Sequence, residues 1–459
     1  MAGAARLGTA PRVRPALRPG HEVWLLEGGA AFFPALVAAI DAAREEIHLE
    51  TYIVHDDDSA RPVFEALARA AARGVSVQVA VDGFGTPRVP PRLAALLAAG
   101  PAQLRVFRPE HAPYALDRRR LRRLHRKIAV IDRELAFIGG INLLDDHVDP
   151  VHGTLDRPRL DFAVRVRGPL VDDALLTARQ LWVSLLPVRE RAAARWPCAG
   201  GRRARGAAAR HGASPVASVA STSHAAHNPH TSHTSHTSHA SHATPVSPAS
   251  PGAVSAQDAL ADAPVFAPVR AMLLLRDNFR FRRAIEREYL QAIGAARQRV
   301  LLANAYFFPG ARMRRALILA AGRGVPVTLL LQGRVEYALQ HYASQALYDE
   351  LLGAGVRIVE YASSFMHAKV AVADDWATVG SSNIDPFSLL LAREANVVVR
   401  DAGFAAHLSA RIHAAIAQGG REVHPARHAR GPLRLRAVRW AAFALLRAGV
   451  ALSGRAGRW

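Results

Sequence analysis

His367 and Lys369 stand two residues apart in MHAKVAVADDWATVGSSN, the stretch from Met366 to Asn383. In a strand, side chains alternate between faces, so His367 and Lys369 share one face while Val370 and Val372 point to the other. A proton-transfer group is thereby set beside a fixed cation. Asp374-Asp375 predicts a turn and Trp376 to Val379 a returning strand, and Gly380 lets the backbone bend so that Ser381 and Asn383 come back towards the first strand. The pattern recurs in LHRKIAVIDRELAFIGGIN, Leu124 to Asn142. His125, Lys127, Asp132, Gly139 and Asn142 repeat His367, Lys369, Asp374, Gly380 and Asn383 in the same order, 242 residues apart at the histidines and 241 at the asparagines.

Such a doubled set suits an anionic centre. A phosphodiester repels a hydroxyl nucleophile, so its cleavage needs cations on the nonbridging oxygens, a nucleophile, and an acid for the leaving alcohol. Lys127 and Lys369 supply the cations, Asn142, Asn383 and Ser381 add hydrogen bonds, and two histidines split the remaining roles. These residues require no metal ion and no other cofactor. Asp132 and Asp374 belong to the catalytic motif, but lie seven residues after each histidine, beyond the strand, where bracing the turn is the expected part. Gly140 takes the place of Ser381 in the first copy, so the two half-sites are unequal.

Elements of alternating type must carry these groups. Glu22 to Glu27 reads as a strand, Phe32, Phe33, Leu36, Val37 and Ile40 as one face of a helix, and Ile47 to Val54 as an apolar strand. Val63, Leu67 and Ala71 mark a further helix ended by Gly74, and Val75 to Val79 a further strand. The β-α-β-α-β order predicts an α/β layered domain with a mixed sheet. The second half repeats the wording: Arg73-Gly74-Val75-Ser76-Val77 is answered by Arg323-Gly324-Val325-Pro326-Val327, and the stretch ending in Tyr52 by one ending in Tyr306. A duplication into two similar domains follows.

The expected division is a basic arm over 1–20, a first domain over 21–196, a linker over 197–263, a second domain over 264–430 and a tail over 431–459. The linker is rich in Ala, Ser, Thr, Pro and His, and in TSHTSHTSHASH the residues His230, His233, His236, His239 and His242 recur every third position. It cannot bury apolar surface and is expected to be disordered. With 59 Lys and Arg against 38 Asp and Glu, the net charge of +21 predicts attraction to a polyanion, nucleic acid or anionic membrane alike. One cysteine, Cys198, excludes an intrachain disulfide framework and suits a reducing compartment. The arm has arginines but no continuous apolar stretch of a secretory signal, and no run approaches the roughly 20 apolar residues that span a bilayer. In the tail, Leu435, Val438, Ala442, Leu445, Gly449 and Leu452 form a stripe opposite Arg436, Arg439 and Arg447. That pattern fits a helix lying in an anionic membrane surface, or one packed on the second domain. The run Arg118 to Arg123, broken only by Leu121, is placed to steer anionic headgroups towards His125.

With both motifs in view the sequence resembles the phospholipase D superfamily, whose signature is His-x-Lys-x4-Asp followed by a Gly-rich turn and Asn. Within it, LEGGAAFFPALVAAIDAAREEIHLETYIV, LDFAVRVRGPLV and GSSNIDPFSLLLAREANVVV resemble the phrases of bacterial cardiolipin synthases, over about Glu22 to Arg400 apart from the linker. The resemblance implies two phospholipase D-type α/β domains with mixed sheets, related by a pseudo-twofold, with the active site at their interface. It also implies that one histidine attacks phosphorus to give a phosphohistidine while the other protonates the departing alcohol and later deprotonates the incoming one. By analogy the attack falls to His125 and the acid/base work to His367. The family places a carboxylate downstream of each motif to hold the imidazole, and Asp161 in RLDFAVRV and Glu394 in AREANVVV occupy those places.

The implied reaction joins two phosphatidylglycerols into cardiolipin with release of glycerol, phosphatidylethanolamine being an alternative donor. The implied location is peripheral, on the cytoplasmic side of a bacterial membrane. A phosphodiesterase or nuclease would share the machinery, but base-stacking aromatics are not interleaved with the basic runs. A nonenzymatic metal- or polyanion-binding protein built on the His-rich tract would leave the doubled motif without a purpose.

Overall fold

The computed structural model describes residues 15–109, 122–187, 190, 263–277, 281–386, 388 and 392–451. The start of the basic arm, Arg118 to Leu121, the His-rich linker up to residue 262 and the tail from Leu452 lie outside the described residues.

In chain order the strands of the first half are β1 (Arg18–Glu27), β2 (Glu46–Thr51), β3 (Ser76–Asp82), β4 (Gln103–Phe107), β5 (Lys127–Ile131), β6 (Leu135–Gly139), β7 (Val148–Asp149), β8 (Gly153–Thr154) and β9 (Phe162–Arg167). Those of the second are β10 (Val265–Arg276), β11 (Val300–Asn304), β12 (Val327–Gln332), β13 (Arg357–Tyr361), β14 (Lys369–Ala373), β15 (Trp376–Gly380), β16 (Glu394–Arg400) and β17 (Gly420–Glu422). Apart from the β7–β8 hairpin, these form one 15-stranded mixed sheet. Reading outward from its middle, β1-β9-β6-β5-β2-β3-β4 on one side matches β10-β16-β15-β14-β11-β12-β13 on the other, with β17 added at the end. The duplication is therefore carried strand for strand.

The halves do not keep separate sheets, as two domains side by side would. β1 pairs antiparallel with β10, and both halves belong to one compact unit. Each half would otherwise end in a strand with unpaired N–H and C=O groups, and joining the two edges satisfies both.

Helices cover both faces. Gly28–Ala42, Ala60–Ala72 and Pro91–Ala98 pack on one face of the first half, and Ala284–Ala295 and Ala311–Gly322 on the matching face of the second. Leu170–Leu185 and Ala402–Gly419 cover the opposite face, over an apolar layer that includes Val130 and Val166 from one half and Val372 and Val397 from the other. With helices on both sides, every residue of β5 and β14 is buried. The strands are thus apolar on both faces, as in parallel-sheet cores, and chemistry is confined to their lysine ends.

The C-terminal helix, Leu433–Val450, docks with Ala442, Leu446 and Val450 as its buried residues, against Phe308, Ala343 and Leu347. Of the described residues of the expected stripe, Ala442 alone is buried. Val438 and Leu445 are exposed, whereas Arg439 turns inward to donate to the Gln345 side-chain oxygen at 3.0 Å. The outward side carries Leu433, Val438, Trp440 and Leu445 together with Arg434, Arg436 and Arg447.

Candidate active site

His125 and His367 precede β5 and β14 by two residues, and the backbone there is tied across the halves. The His125 N–H donates to the Arg393 carbonyl at 3.0 Å, and the His367 N–H to that of Leu160 at 2.8 Å. Those carbonyls belong to the residues just before Glu394 and Asp161. The carboxylates consequently meet the opposite half's imidazole: His125 Nδ1 lies 3.1 Å from Glu394 Oε2, and His367 Nδ1 lies 2.7 Å from Asp161 Oδ2. Asp161 follows the first motif and Glu394 the second, so the pairing is crossed.

Each lysine reaches back along its strand. Lys127 Nζ donates to the His125 carbonyl at 2.8 Å, and Lys369 Nζ to that of His367. Both ammonium groups are buried, which pushes Lys127 down to about 8 and Lys369 down to about 7. Burial also lowers both histidines, with Lys127 and Lys369 adding to the effect at each, and His367 falls further. At His125 the nearby Glu394 works against burial. Asp161 is pushed up by burial to about 7. Burial thus disfavours the charged form of both members of the Asp161–His367 pair.

The half-sites differ where Gly140 replaces Ser381. Ser381 Oγ donates to Glu394 Oε2 at 2.5 Å and accepts from the Ala395 N–H at 3.0 Å. In the other half Asp161 itself accepts from the following N–H, that of Phe162, at 2.8 Å. A β-carbon on Gly140 would fall 2.8 Å from the Asp161 carboxyl carbon, inside any real contact. The shorter aspartate fills the space that a serine side chain would take, whereas the longer glutamate reaches over one. The Ser381 hydroxyl, expected to add a hydrogen bond at the phosphate, is here bonded to Glu394 and the Ala395 N–H.

Asp132 and Asp374 are not brought to the histidines. They stand past the far ends of β5 and β14, where Asp132 accepts from the N–H groups of Arg44, Glu45 and Glu46 at 2.7, 2.8 and 3.0 Å. Asp374 does the same for Arg297, Gln298 and Arg299 at 2.7, 2.9 and 3.0 Å. Both hold positive φ, 50° and 55°, in the turns they were expected to brace. Their hydrogen bonds join each turn to the start of the neighbouring strand.

A cleft of about 870 Å³ contains His125, Asp161, His367, Asn142 and Asn383 on its wall, with residues from both halves. Its lining includes apolar Ile53, Phe84, Ile141, Leu144 and Val151. Asn142 Oδ1 accepts from the Ile53 N–H at 3.1 Å. Arg123, from the basic run, reaches the cleft with its guanidinium 4.6 Å from the Phe84 ring centre.

Some contributors carry no motif. The ring of Tyr52 packs edge-on against His125, 4.8 Å between centres. Buried Asp82 accepts from the Leu124 N–H at 2.7 Å, and Gln332 accepts from the Met366 N–H at 3.1 Å, so each fixes the amide just before a histidine. The sequence matched Tyr52 with Tyr306 only with one residue of slippage, and the strand register sets Tyr52 against Ala305 and Tyr306 against Ile53. Asp82 and Gln332 differ in type and gave no signal.

The family described as "Cardiolipin synthase, PLD-like domain" matches residues 36–151 and 289–416. Cardiolipin synthase B of Escherichia coli K12 is 35% identical over 407 residues, covering 88% of this chain and 83% of that protein. Cardiolipin synthase A of Pseudomonas putida F1 is 28% identical over 402 residues, covering 86% and 68%. Among solved structures, phosphatidylserine synthase of Haemophilus influenzae aligns over 94% of both chains with a TM-score of 0.60 at 11% identity, a likeness of fold.

Proposed function

Because the chain belongs to the cardiolipin synthase family of phospholipase D-like proteins, we propose that it transfers a phosphatidyl group from one phosphatidylglycerol to another, giving cardiolipin and glycerol. The observation that carries this reading is the pair of crossed histidine–carboxylate contacts opening on one largely apolar cleft.

His125 attacks the phosphorus of the bound donor, and the bond from phosphorus to the glycerol oxygen breaks. His367 gives its proton to that oxygen, and glycerol departs. A hydroxyl of the second phosphatidylglycerol then attacks the phosphohistidine as His367 takes its proton, and the P–N bond breaks to return free His125. Lys127 and Lys369 balance the charge on the nonbridging oxygens throughout. Two features support this division of labour. Glu394, fixed by the Ser381 hydroxyl, gives the phosphorylated His125 a firmly held countercharge. The contact between Asp161 and His367 Nδ1 leaves the other ring nitrogen for the alcohol, which suits a group that must both give and take a proton.

The enzyme works peripherally, on the cytoplasmic face of the membrane. No helix among the described residues is long and apolar enough to cross a membrane. The outward side of Leu433–Val450, with Trp440 and Leu445 beside three arginines, fits an anionic lipid surface. Labelled phosphatidylglycerol vesicles test the whole reading. Cardiolipin with stoichiometric glycerol is expected, whereas phosphatidic acid as the sole product would make the protein a hydrolase.

A further inference from the structure

Each element around the histidines has a counterpart in the other half, which makes departures from the pseudo-twofold informative. At the exit of β2, Tyr52 lies against the His125 ring. At the matching exit of β11 the register sets Ala305 in the place of Tyr52 and Tyr306 in that of Ile53, and Tyr306 donates its hydroxyl to Glu336 Oε2 at 2.7 Å, with the Tyr337 ring 5.8 Å away. Glu336 belongs to the loop after β12. The matching loop after β3, Gly83-Phe84-Gly85, brings no carboxylate.

A second departure lies beside the first. Asn142 Oδ1 is taken by the Ile53 N–H, but Asn383 Oδ1, on a residue 3% exposed, has no hydrogen-bond partner among the described residues. Tyr306 and Asn383 are neighbours, because Phe307 and Ile384, which follow them, form a bridge and Phe308 N donates to the Ile384 carbonyl at 2.8 Å. Tyr306, Glu336 and Asn383 all line the cleft that holds the histidines.

We propose that Tyr306, Glu336 and Asn383 form a subsite for the free hydroxyl groups of a polyhydroxy alcohol, serving both the headgroup that leaves and the one that arrives. The inference rests on the transfer reading above and adds which alcohols are preferred. The carboxylate and the amide oxygen are hydrogen-bond acceptors, so they call for an O–H donor. A second phosphate is disfavoured beside Glu336, since Arg159, which also lines the cleft, is already engaged by Asp149 at 3.0 Å. Asp149 also meets His152 at 2.9 Å, Asp146 accepts from the Gly29 N–H, and Asp385 accepts from the Ser388 N–H at 3.1 Å. An alcohol lacking the extra hydroxyls would leave buried acceptors unpaired, which is how a polar site discriminates.

The test uses the full chain with phosphatidylglycerol vesicles and competing soluble acceptors: isotopically labelled glycerol, 1-propanol and ethanolamine. Wild type should favour glycerol over 1-propanol, and Tyr306→Phe and Glu336→Met should each lower that ratio by about tenfold or more, whatever their total turnover. A wild type that does not discriminate, or variants that keep its ratio, would overturn the subsite. Ethanolamine outcompeting glycerol in wild type would overturn it in favour of an ammonium site. A wild type that yields only phosphatidic acid, with no alcohol product at all, would instead bring down the transfer reading on which the subsite rests.

Discussion

His125 and Glu394 lie 269 residues apart in the chain, yet the imidazole Nδ1 sits 3.1 Å from the carboxylate. The reciprocal pair, His367 with Asp161, closes the exchange at 2.7 Å. Neither half owns a complete histidine–carboxylate pair, and β1 and β10 join the two halves that supply them.

The carboxylates should accordingly matter to the rate more than to the fold. Asp161→Asn and Glu394→Gln keep shape but remove the charge that orients and stabilises the imidazolium. Each is expected to lower kcat by roughly 10²- to 10⁴-fold with a smaller change in KM. Steady-state cardiolipin formation checks this, and a loss confined to KM would show that the carboxylates serve binding instead.

Substitution at the paired positions 140 and 381 should be lopsided. Gly140→Ser drives a side chain into the Asp161 carboxyl and displaces the partner of His367, so activity should fall about 10²-fold or more. Ser381→Gly removes a single hydroxyl from Glu394 and should cost nearer tenfold. Rates for both variants, with circular dichroism to confirm folding, decide it. Equal losses would mean that the asymmetry is incidental.

The candidate site residues were legible because a period of two and one order of residue types survive in both copies. The strand at each motif and the turn-bracing role of Asp132 and Asp374 followed from local spacing alone. The crossing of Asp161 and Glu394 did not, since it depends on the tie from His125 to Arg393 and from His367 to Leu160, contacts between distant segments. The tail packs on the second half, one of the two placements its pattern allowed, but which face docks was not legible. Its helix has apolar residues on more than one side, and docking selected Ala442, Leu446 and Val450 while Arg439 found a partner at Gln345.

The lysines give a pH signature. Lys369 at about 7 and Lys127 at about 8 lose their charge as pH rises through those values, and a phosphate then meets fewer cations. Substrate affinity should weaken on the alkaline side, with kcat/KM falling from about pH 7 upward, and an anionic ligand should bind with proton uptake. Lys369→Arg, where active, should move that alkaline limb higher because a guanidinium stays charged. A limb unchanged in position would place its origin elsewhere.

The two histidines can be separated by the quality of the leaving group. A nucleophile forms the covalent bond itself, whereas a general acid matters less when the departing group is already a good one. His125→Ala should therefore be inactive on every phosphodiester. His367→Ala should fail on phospholipid but release nitrophenol from an activated nitrophenyl phosphodiester that the wild type accepts. It should then accumulate phosphohistidine, because the second step has lost the base that takes the proton of the incoming alcohol. A burst of nitrophenol near one equivalent per enzyme, with acid-labile phosphate on His125, is the expected record. The opposite pattern, with His125→Ala rescued by the activated ester and His367→Ala dead on it, would hand the nucleophile's role to His367 and the proton to the His125–Glu394 pair.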